Sequence, residues 1–199
     1  MSACAYQPDG TTAFVLLAAG KAARFGGGKL TSNLDGKPLW RWAADSAVAA
    51  GFPQLHIVTN DPLIADAHWT THSNPEAEEG IASSIRIAAE IASSCTRLMI
   101  ALADMPFVEP AHLRALAAAD DAAFTRYPNG RDGVPAAFPQ SALPKLLKLT
   151  GNRGATAIDW PQSTSIEPPS PTSLYDVDTP DDLARAQDIA LRRRPASRR

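Results

Sequence analysis

Apolar residues in this chain fall into short continuous runs separated by stretches of helical spacing. Two runs, Thr12 to Ala18 (TAFVLLA) and Arg97 to Ala103 (RLMIALA), lack the apolar–polar alternation of a half-exposed strand. That is the pattern of parallel strands buried on both faces. Shorter strand-like runs lie at Leu55 to Thr59, Ala122 to Tyr127 and Val134 to Phe138. Between them, Pro38 to Ala50 reads as a helix closed by Gly51. Ser83 to Ser94 reads as another, with Ile85, Ile87, Ala88 and Ile91 near helical spacing and Ser83 as its N-cap. Pro110 to Ala119 and Ser141 to Leu149 are also helical, the latter ending at Gly151. Residues 161–174 are rich in Pro and Ser and read as loop with one short strand. Thr179-Pro180-Asp181-Asp182 announces the last helix, with an N-cap, a proline in the first turn and two acids that the helix dipole favours. Alternation of this kind predicts a three-layer, Rossmann-like α/β domain with a mostly parallel mixed sheet, whose ligands bind beyond the carboxyl ends of the strands.

Composition narrows the class. The 199 residues are 45% hydrophobic and 20% charged, in the range of a folded domain, and no apolar run approaches the ~20 residues that span a bilayer. The N-terminus shows no secretory pattern, so a cytoplasmic protein without membrane association is expected. Cys4 and Cys95 are isolated, which supports neither a disulfide framework nor a zinc ribbon. The formal charge is −2, but the last eight residues (RRRPASRR) hold five arginines and leave −7 for the 191 before them. The expectation is one domain over residues 1–191 and a basic, disordered tail over 192–199. An acidic body does not suit nucleic acid as a partner.

The candidate chemistry sits where the first strand ends. In LLAAGKAARFGGGKL (Leu16 to Leu30), an apolar run breaks into Gly20 and Gly26-Gly27-Gly28, with Lys21, Arg24 and Lys29 among them. A P-loop would need Gly at position 23 and Ser or Thr at 30, where the chain has Ala and Leu; a G-x-G-x-x-G fingerprint would need Gly at 31, where it has Thr. What remains is an anion-binding loop of another kind, or a surface loop with incidental basic residues. Asp104, directly after the second buried run, suits a hard divalent cation or a turn. His68 and His72 are four apart in a stretch that reads more like strand than helix, an unpromising metal pair. Trp40 and Trp42 cannot share one helix face and read as packing residues.

LAAGKAARFGGGK (Leu17 to Lys29) resembles the signature of nucleotidyltransferases that load a nucleotide onto a small phosphorylated acceptor. The likeness is to the molybdenum cofactor cytidylyltransferases, relatives of the molybdopterin guanylyltransferases. LDGKPLW (Leu34 to Trp40), NPEAEEGIASSI (Asn74 to Ile85), LADMP (Leu102 to Pro106), GVPAAFP (Gly133 to Pro139), LTGNRGA (Leu149 to Ala155) and DVDTPDDL (Asp176 to Leu183) follow in the family's order, across roughly residues 12–190. The resemblance implies a nucleotidyltransferase fold and a magnesium-dependent reaction. It implies that Arg24 and Lys29 contact the triphosphate, and that the backbone of Leu17, Ala18, Ala19 and Gly20 passes the base and ribose. Gly80 and Ser84 would lie along the same nucleoside, with help from Asn74, and Asp104 would hold magnesium. Asp178 matches a second metal contact or serves only the helix start. Glu76, Glu78 and Glu79 read as solvated charge.

The chain departs from the pattern at two positions. Val134 stands where the family often has histidine, and Asn152 where it favours an acid. The LAAG, RFGG and LADMP motifs resemble the cytidylyl branch, whereas Asn60 resembles an asparagine of the guanylyl branch. CTP is therefore the expected donor with GTP second. A molybdopterin-type acceptor is expected, and a molybdoenzyme as recipient of the product. Transfer to another small phosphate, such as a sugar 1-phosphate, and a non-catalytic assembly factor are the alternatives.

Overall fold

In the computed structural model, which describes residues 11–20 and 25–193, the first apolar run forms strand β1 (Thr12–Leu17), buried along its whole length. There follow a small hairpin, β2 (Asn33–Leu34) and β3 (Lys37–Pro38), then α1 (Leu39–Ala50), β4 (Gln54–Val58), β5 (Thr70–His72) and α2 (Ile81–Ile91). The second half contains β6 (Arg97–Leu102), α3 (Pro110–Ala117), β7 (Ala122–Arg126), β8 (Asp132–Pro139), α4 (Leu143–Leu146), β9 (Ser163–Ile166) and α5 (Pro180–Arg193). The large sheet has the order β5-β4-β1-β6-β8-β7-β9. β8 runs antiparallel to both its neighbours, and the remaining pairs are parallel.

Strand periodicity explains why β1 reads as continuously apolar. Phe14 and Leu16 pack on one face with Ala43 and Ala47 of α1 and Leu113 and Leu116 of α3. Ala13, Val15 and Leu17 pack on the other with Ile85 and Ala88 of α2 and Leu146 of α4. Burying each large side chain contributes about 1.5–3 kcal/mol. A third cluster joins Ala186 and Ala190 of α5 to Leu34, Leu39, Phe107 and Val177, and this fastens the last helix beside the loop after β6. Trp40 belongs to the first cluster, while Trp42 packs at the edge of the third and donates its Nε1–H to Leu34 O at 2.9 Å.

Several element boundaries differ from the sequence reading. α2 begins at Ile81 rather than at Ser83, and the Ser83 hydroxyl donates to Gly80 O at 2.8 Å instead of capping the helix. The stretch 141–149 contains only the short α4, preceded by a 3-10 turn at Gln140–Ala142. Asp35 (φ 51°) and Gly36 (φ 91°) make the tight turn of the β2–β3 hairpin. A boundary at residue 191 would cut α5, which continues through Arg193. Its guanidinium lies over the Phe107 ring at 4.9 Å and donates to Phe107 O and Glu109 Oε1, each at 3.2 Å. Arg192 and Arg193 thus belong to the helix, and residues 194–199 of the expected tail lie outside the described residues. Among the described residues no helix is long and apolar enough to cross a membrane.

His112 of α3 is buried against the sheet, its Nε2 2.8 Å from Thr125 Oγ1. Thr125 donates its hydroxyl to Pro135 O, so it accepts from His112 Nε2–H; this leaves Nδ1 as the unprotonated nitrogen, buried without a partner among the described residues. Desolvation by burial lowers the His112 pKa, against an upward pull from Glu109. Desolvation likewise lowers His56 and His72 on the β4–β5 edge. Because these pKa values are depressed on folding, their stabilising contribution is present above the unfolded value of about 6.5 and is lost as pH falls through the folded values. Urea unfolding from about pH 8 down to about pH 5.5 should therefore show the unsubstituted protein losing stability relative to His112→Gln. Equal slopes in the two proteins would show that His112 is not titrating on unfolding.

Candidate active site

The chain forms a cleft where β1 and β6 end side by side. They pair in parallel with Leu17 opposite Leu102, and Ala103 N donates to Leu17 O at 3.1 Å. From β1 the chain winds outward through α1 to β4 and β5. It then crosses back over the opposite face through α2 to β6. The β1–β6 boundary is thus the topological switch point, where an open crevice is unavoidable. The crevice holds a cavity of about 450 Å³. Its floor is Leu17, Ala18, Gly20 and Leu102, its nearer wall is Ala77, Glu78, Gly80 and Ile81, and Asn152 adjoins that wall. Lys29, Asp104 and Asp178 close one end. A second compartment, of about 310 Å³, adjoins it beneath Gly27 and Gly28 and shares Ala18, Gly20, Lys29 and Leu30 with it.

The charged end is compact. Lys29 Nζ lies 2.7 Å from Asp104 Oδ2 and 3.6 Å from Asp178 Oδ1, and Lys29 is only 8% exposed. Asp104 is separated from β6 by Ala103 alone, whose bond to Leu17 O ties it to the rigid sheet. Asp176 and Asp178 lie on an extended segment held there by a hydrogen bond from Val177 N to Asp104 O at 3.1 Å. Residues two apart on extended chain point to the same side. Val177 accordingly turns into the core, and both acids turn towards Asp104. One carboxylate oxygen from each of Asp104, Asp176 and Asp178 lies within 4.8 Å of the others.

Crowding sets the protonation of this group. Although Asp176 stands at the exposed rim, desolvation and then the charges of Asp104 and Asp178 push its pKa up to about 7, against the downward pull of Lys29. Tyr127 nearby is pushed up to about 12, chiefly by burial and further by Asp176 and Asp104. Its hydroxyl donates to Val134 O at 2.8 Å. Asp104 Oδ1 is buried without a hydrogen-bond partner among the described residues. Three hard oxygen donors, one of them orphaned, fit a divalent cation of the magnesium or manganese type.

The structure brings together most of the residues expected from the sequence. Leu17, Ala18, Gly20, Lys29, Gly80, Asp104 and Asp178 line the main cleft, and Ala19 lines the adjoining compartment. Arg24 and Lys21 lie outside the described residues. Asn74 and Ser84 stand behind the wall rather than in it. Asn74 is fully buried and donates its amide to Ser83 Oγ and Ser84 Oγ, each at 2.9 Å. Asn60 lines the adjoining compartment but is committed to the backbone, donating to Asn74 O at 2.7 Å and accepting from Asn74 N at 2.8 Å. Glu76 and Glu79 pair with Arg86, whereas Glu78 lines the cleft. His68 turns towards Asp66, and His72 lies 3.1 Å from His56 instead, so the two histidines do not form a metal pair. Asp176 was missed by the sequence reading, although its Asp-Val-Asp spacing with Asp178 carried the signal.

A family model for the MobA-like NTP transferase domain matches residues 14–163. The fold is similar to a nucleotidyl transferase, Mth528, from Methanothermobacter thermautotrophicus. The TM-score is 0.79 at 21% identity, over 92% of this chain and 99% of that one. Rv0371c from Mycobacterium tuberculosis matches with a TM-score of 0.75 at 26% identity, over 89% and 98% of the two chains; it has also been solved in complex with manganese. The molybdopterin-guanine dinucleotide biosynthesis protein A of Archaeoglobus fulgidus matches at 0.65 and 20% identity, over 90% and 98%. No curated protein sequence matches significantly.

Gly80 is the tightest joint in the cleft wall. Its φ of 111° with ψ of −175° is a glycine conformation, and a Cβ there would lie 2.3 Å from Asn152 Oδ1 and 2.6 Å from Gly151 O. Gly151 O in turn accepts from Ala82 N at 3.1 Å and so satisfies one donor at the start of α2. Gly80→Ala should therefore lower the unfolding free energy by roughly 1–3 kcal/mol in denaturant titration. An unchanged midpoint would mean that the 151–154 loop moves away freely.

Proposed function

The chain belongs to the family of MobA-like NTP transferase domains, and on that premise we propose that it transfers CMP from CTP to the terminal phosphate of a molybdopterin-type cofactor, releasing pyrophosphate. The observation that carries this reading is the juxtaposition of Lys29 with Asp104, Asp176 and Asp178 at the switch-point cleft, beside the small residues Ala18 and Gly20. A nucleoside would lie along Leu17 to Gly20 and the Gly80 wall, where no bulky side chain obstructs it. The triphosphate would run towards Gly27, Gly28 and Lys29, with Arg24 as the expected second cation.

In the reaction an acceptor phosphate oxygen bonds to the α-phosphorus while the bond to the β-phosphate breaks and pyrophosphate leaves. Little of this needs a proton-transferring side chain; it needs in-line positioning and stabilisation of negative charge. Asp104, with Asp178 and Asp176, would hold a divalent cation, magnesium in our reading, which neutralises charge on the transferred and leaving phosphates. Lys29 supplies a compact positive charge to the leaving group. Glycines leave the backbone N–H groups of the first loop open to the same phosphates.

Support for cytidine comes from Asn60, the residue that resembles the guanylyl branch: its amide is committed to the backbone of Asn74 and to Ser73. A different acceptor, such as a sugar 1-phosphate, is favoured by Val134 and Asn152. Val134 offers no polar side chain, its carbonyl is taken by Tyr127, and Asn152 brings a neutral amide to the cleft. The protein is read as cytoplasmic, with a molybdoenzyme as recipient of the product.

Pyrophosphate release tests the proposal. With magnesium, CTP and molybdenum cofactor together should give turnover, while GTP, UTP or ATP should give little. Asp104→Ala should reduce it at least about 100-fold while the protein stays folded by circular dichroism. Turnover with GTP would keep the reaction and change the base, and turnover only with a sugar 1-phosphate would change the acceptor. Binding of cofactor without any release would favour an assembly factor.

A further inference from the structure

The ammonium group of Lys29 stands where a metal ion would be expected. Among the described residues it is the cation that pairs with Asp104 and Asp178, at 2.7 and 3.6 Å, and it is nine-tenths buried. A divalent ion of the magnesium type bonds carboxylate oxygen at about 2.1 Å, so any ion taking Asp104 Oδ2 would come within about 5 Å of Nζ. Two cations at that separation in a partly desolvated cleft repel strongly. We propose that Lys29 and a divalent ion are alternative occupants of the Asp104–Asp176–Asp178 cluster. In the empty protein the lysine holds the carboxylates; when metal loads, it swings to the triphosphate.

Two features make the exchange local. Lys29 lines both the carboxylate end of the main cleft and the adjoining compartment beneath Gly27 and Gly28, so its tip has somewhere to go. Its flexible four-carbon stem lets the ammonium move by bond rotation alone. Losing the Asp104 contact would be costly for a buried lysine unless another anion replaced it. The exchange is therefore most favourable when triphosphate and metal are both present, and metal alone displaces the lysine only at higher concentration. Metal alone is resisted, and the three carboxylates are kept from scattering by mutual repulsion until substrate arrives. The destination on the triphosphate rests on nucleotidyl transfer as the function; the competition for the carboxylates does not.

The test uses nucleotide-free protein. Lys29→Met keeps the length of the stem and removes the charge. Manganese binding, followed by the electron paramagnetic resonance of the free ion, should be about tenfold tighter or more in this variant than in the unsubstituted protein. Equal or weaker binding by a folded Lys29→Met would overturn the proposal, since the lysine would then be a structural partner that leaves the metal position open. A second measurement avoids dependence on that variant's folding. In protein labelled at lysine Cε, the Lys29 resonance, assigned by its loss in Lys29→Arg, should move towards the solvated-lysine position as magnesium is titrated in. A resonance that stays in place while magnesium binds elsewhere on the cluster, for example at Asp104 Oδ1, would overturn it too. Neither readout requires turnover. A protein that shows the exchange but never releases pyrophosphate would overturn the proposed function alone.

Discussion

Double-sided burial of β1 and β6 is the constraint on which the rest depends. A strand covered by helices on both faces has no place for an unpaired polar side chain, which would cost several kcal/mol, and β1 and β6 carry polar residues only at their first positions, Thr12 and Arg97. Chemistry is therefore confined to the residues immediately beyond the strand ends. β1 is followed by small residues, Ala18, Ala19 and Gly20, and β6 by Ala103 and then Asp104. The first sequence leaves room for a flat ligand, and the second places a charge on a rigid support.

Charge is then added from elsewhere in the chain, and packing decides where it lands. Lys29 arrives on the glycine-rich loop. Asp176 and Asp178 arrive on an extended segment whose middle residue, Val177, is buried with Leu34, Leu39 and Phe107. The same cluster anchors α5, so the last helix supports the 176–178 segment. Thr179 and Asp182 cap each other at the start of that helix: Thr179 N donates to Asp182 Oδ2 at 2.9 Å and Asp182 N to Thr179 Oγ1 at 3.2 Å. Asp182 is engaged as a capping residue, and Asp178, one position before the cap, takes part in the cleft.

Much of this was legible in the sequence, for identifiable reasons. Continuous apolar runs located β1 and β6, because burial on both faces leaves a plain signature. Gly51 marked the end of α1 by its left-handed conformation (φ 87°). The antiparallel direction of β8 was not legible, since direction depends on the connections rather than on the strand's own residues. Asn74 and Ser84 were placed by motif, which gives neighbourhood but not orientation, and the structure turns both away from the cleft into a buried hydrogen-bonded group. Asp176 was overlooked because it sits among capping residues, where an acid has an ordinary explanation. Its role becomes visible only once Val177 is seen to fasten the segment.

The contact between Gly80 and the 151–154 loop has a consequence for synthesis of the protein. Gly80 lies before β6 in the chain and Asn152 well after it, yet they touch in the cleft wall. A nascent chain that has formed β1, β4 and α2 has a glycine turn with nothing packed against it, and a lysine at position 29 without its two carboxylate partners. Nucleotide can therefore give little stabilisation to an unfinished chain. Ligand-assisted folding, if cells use it for this protein, begins only after Asn152 and the 176–178 segment have left the ribosome.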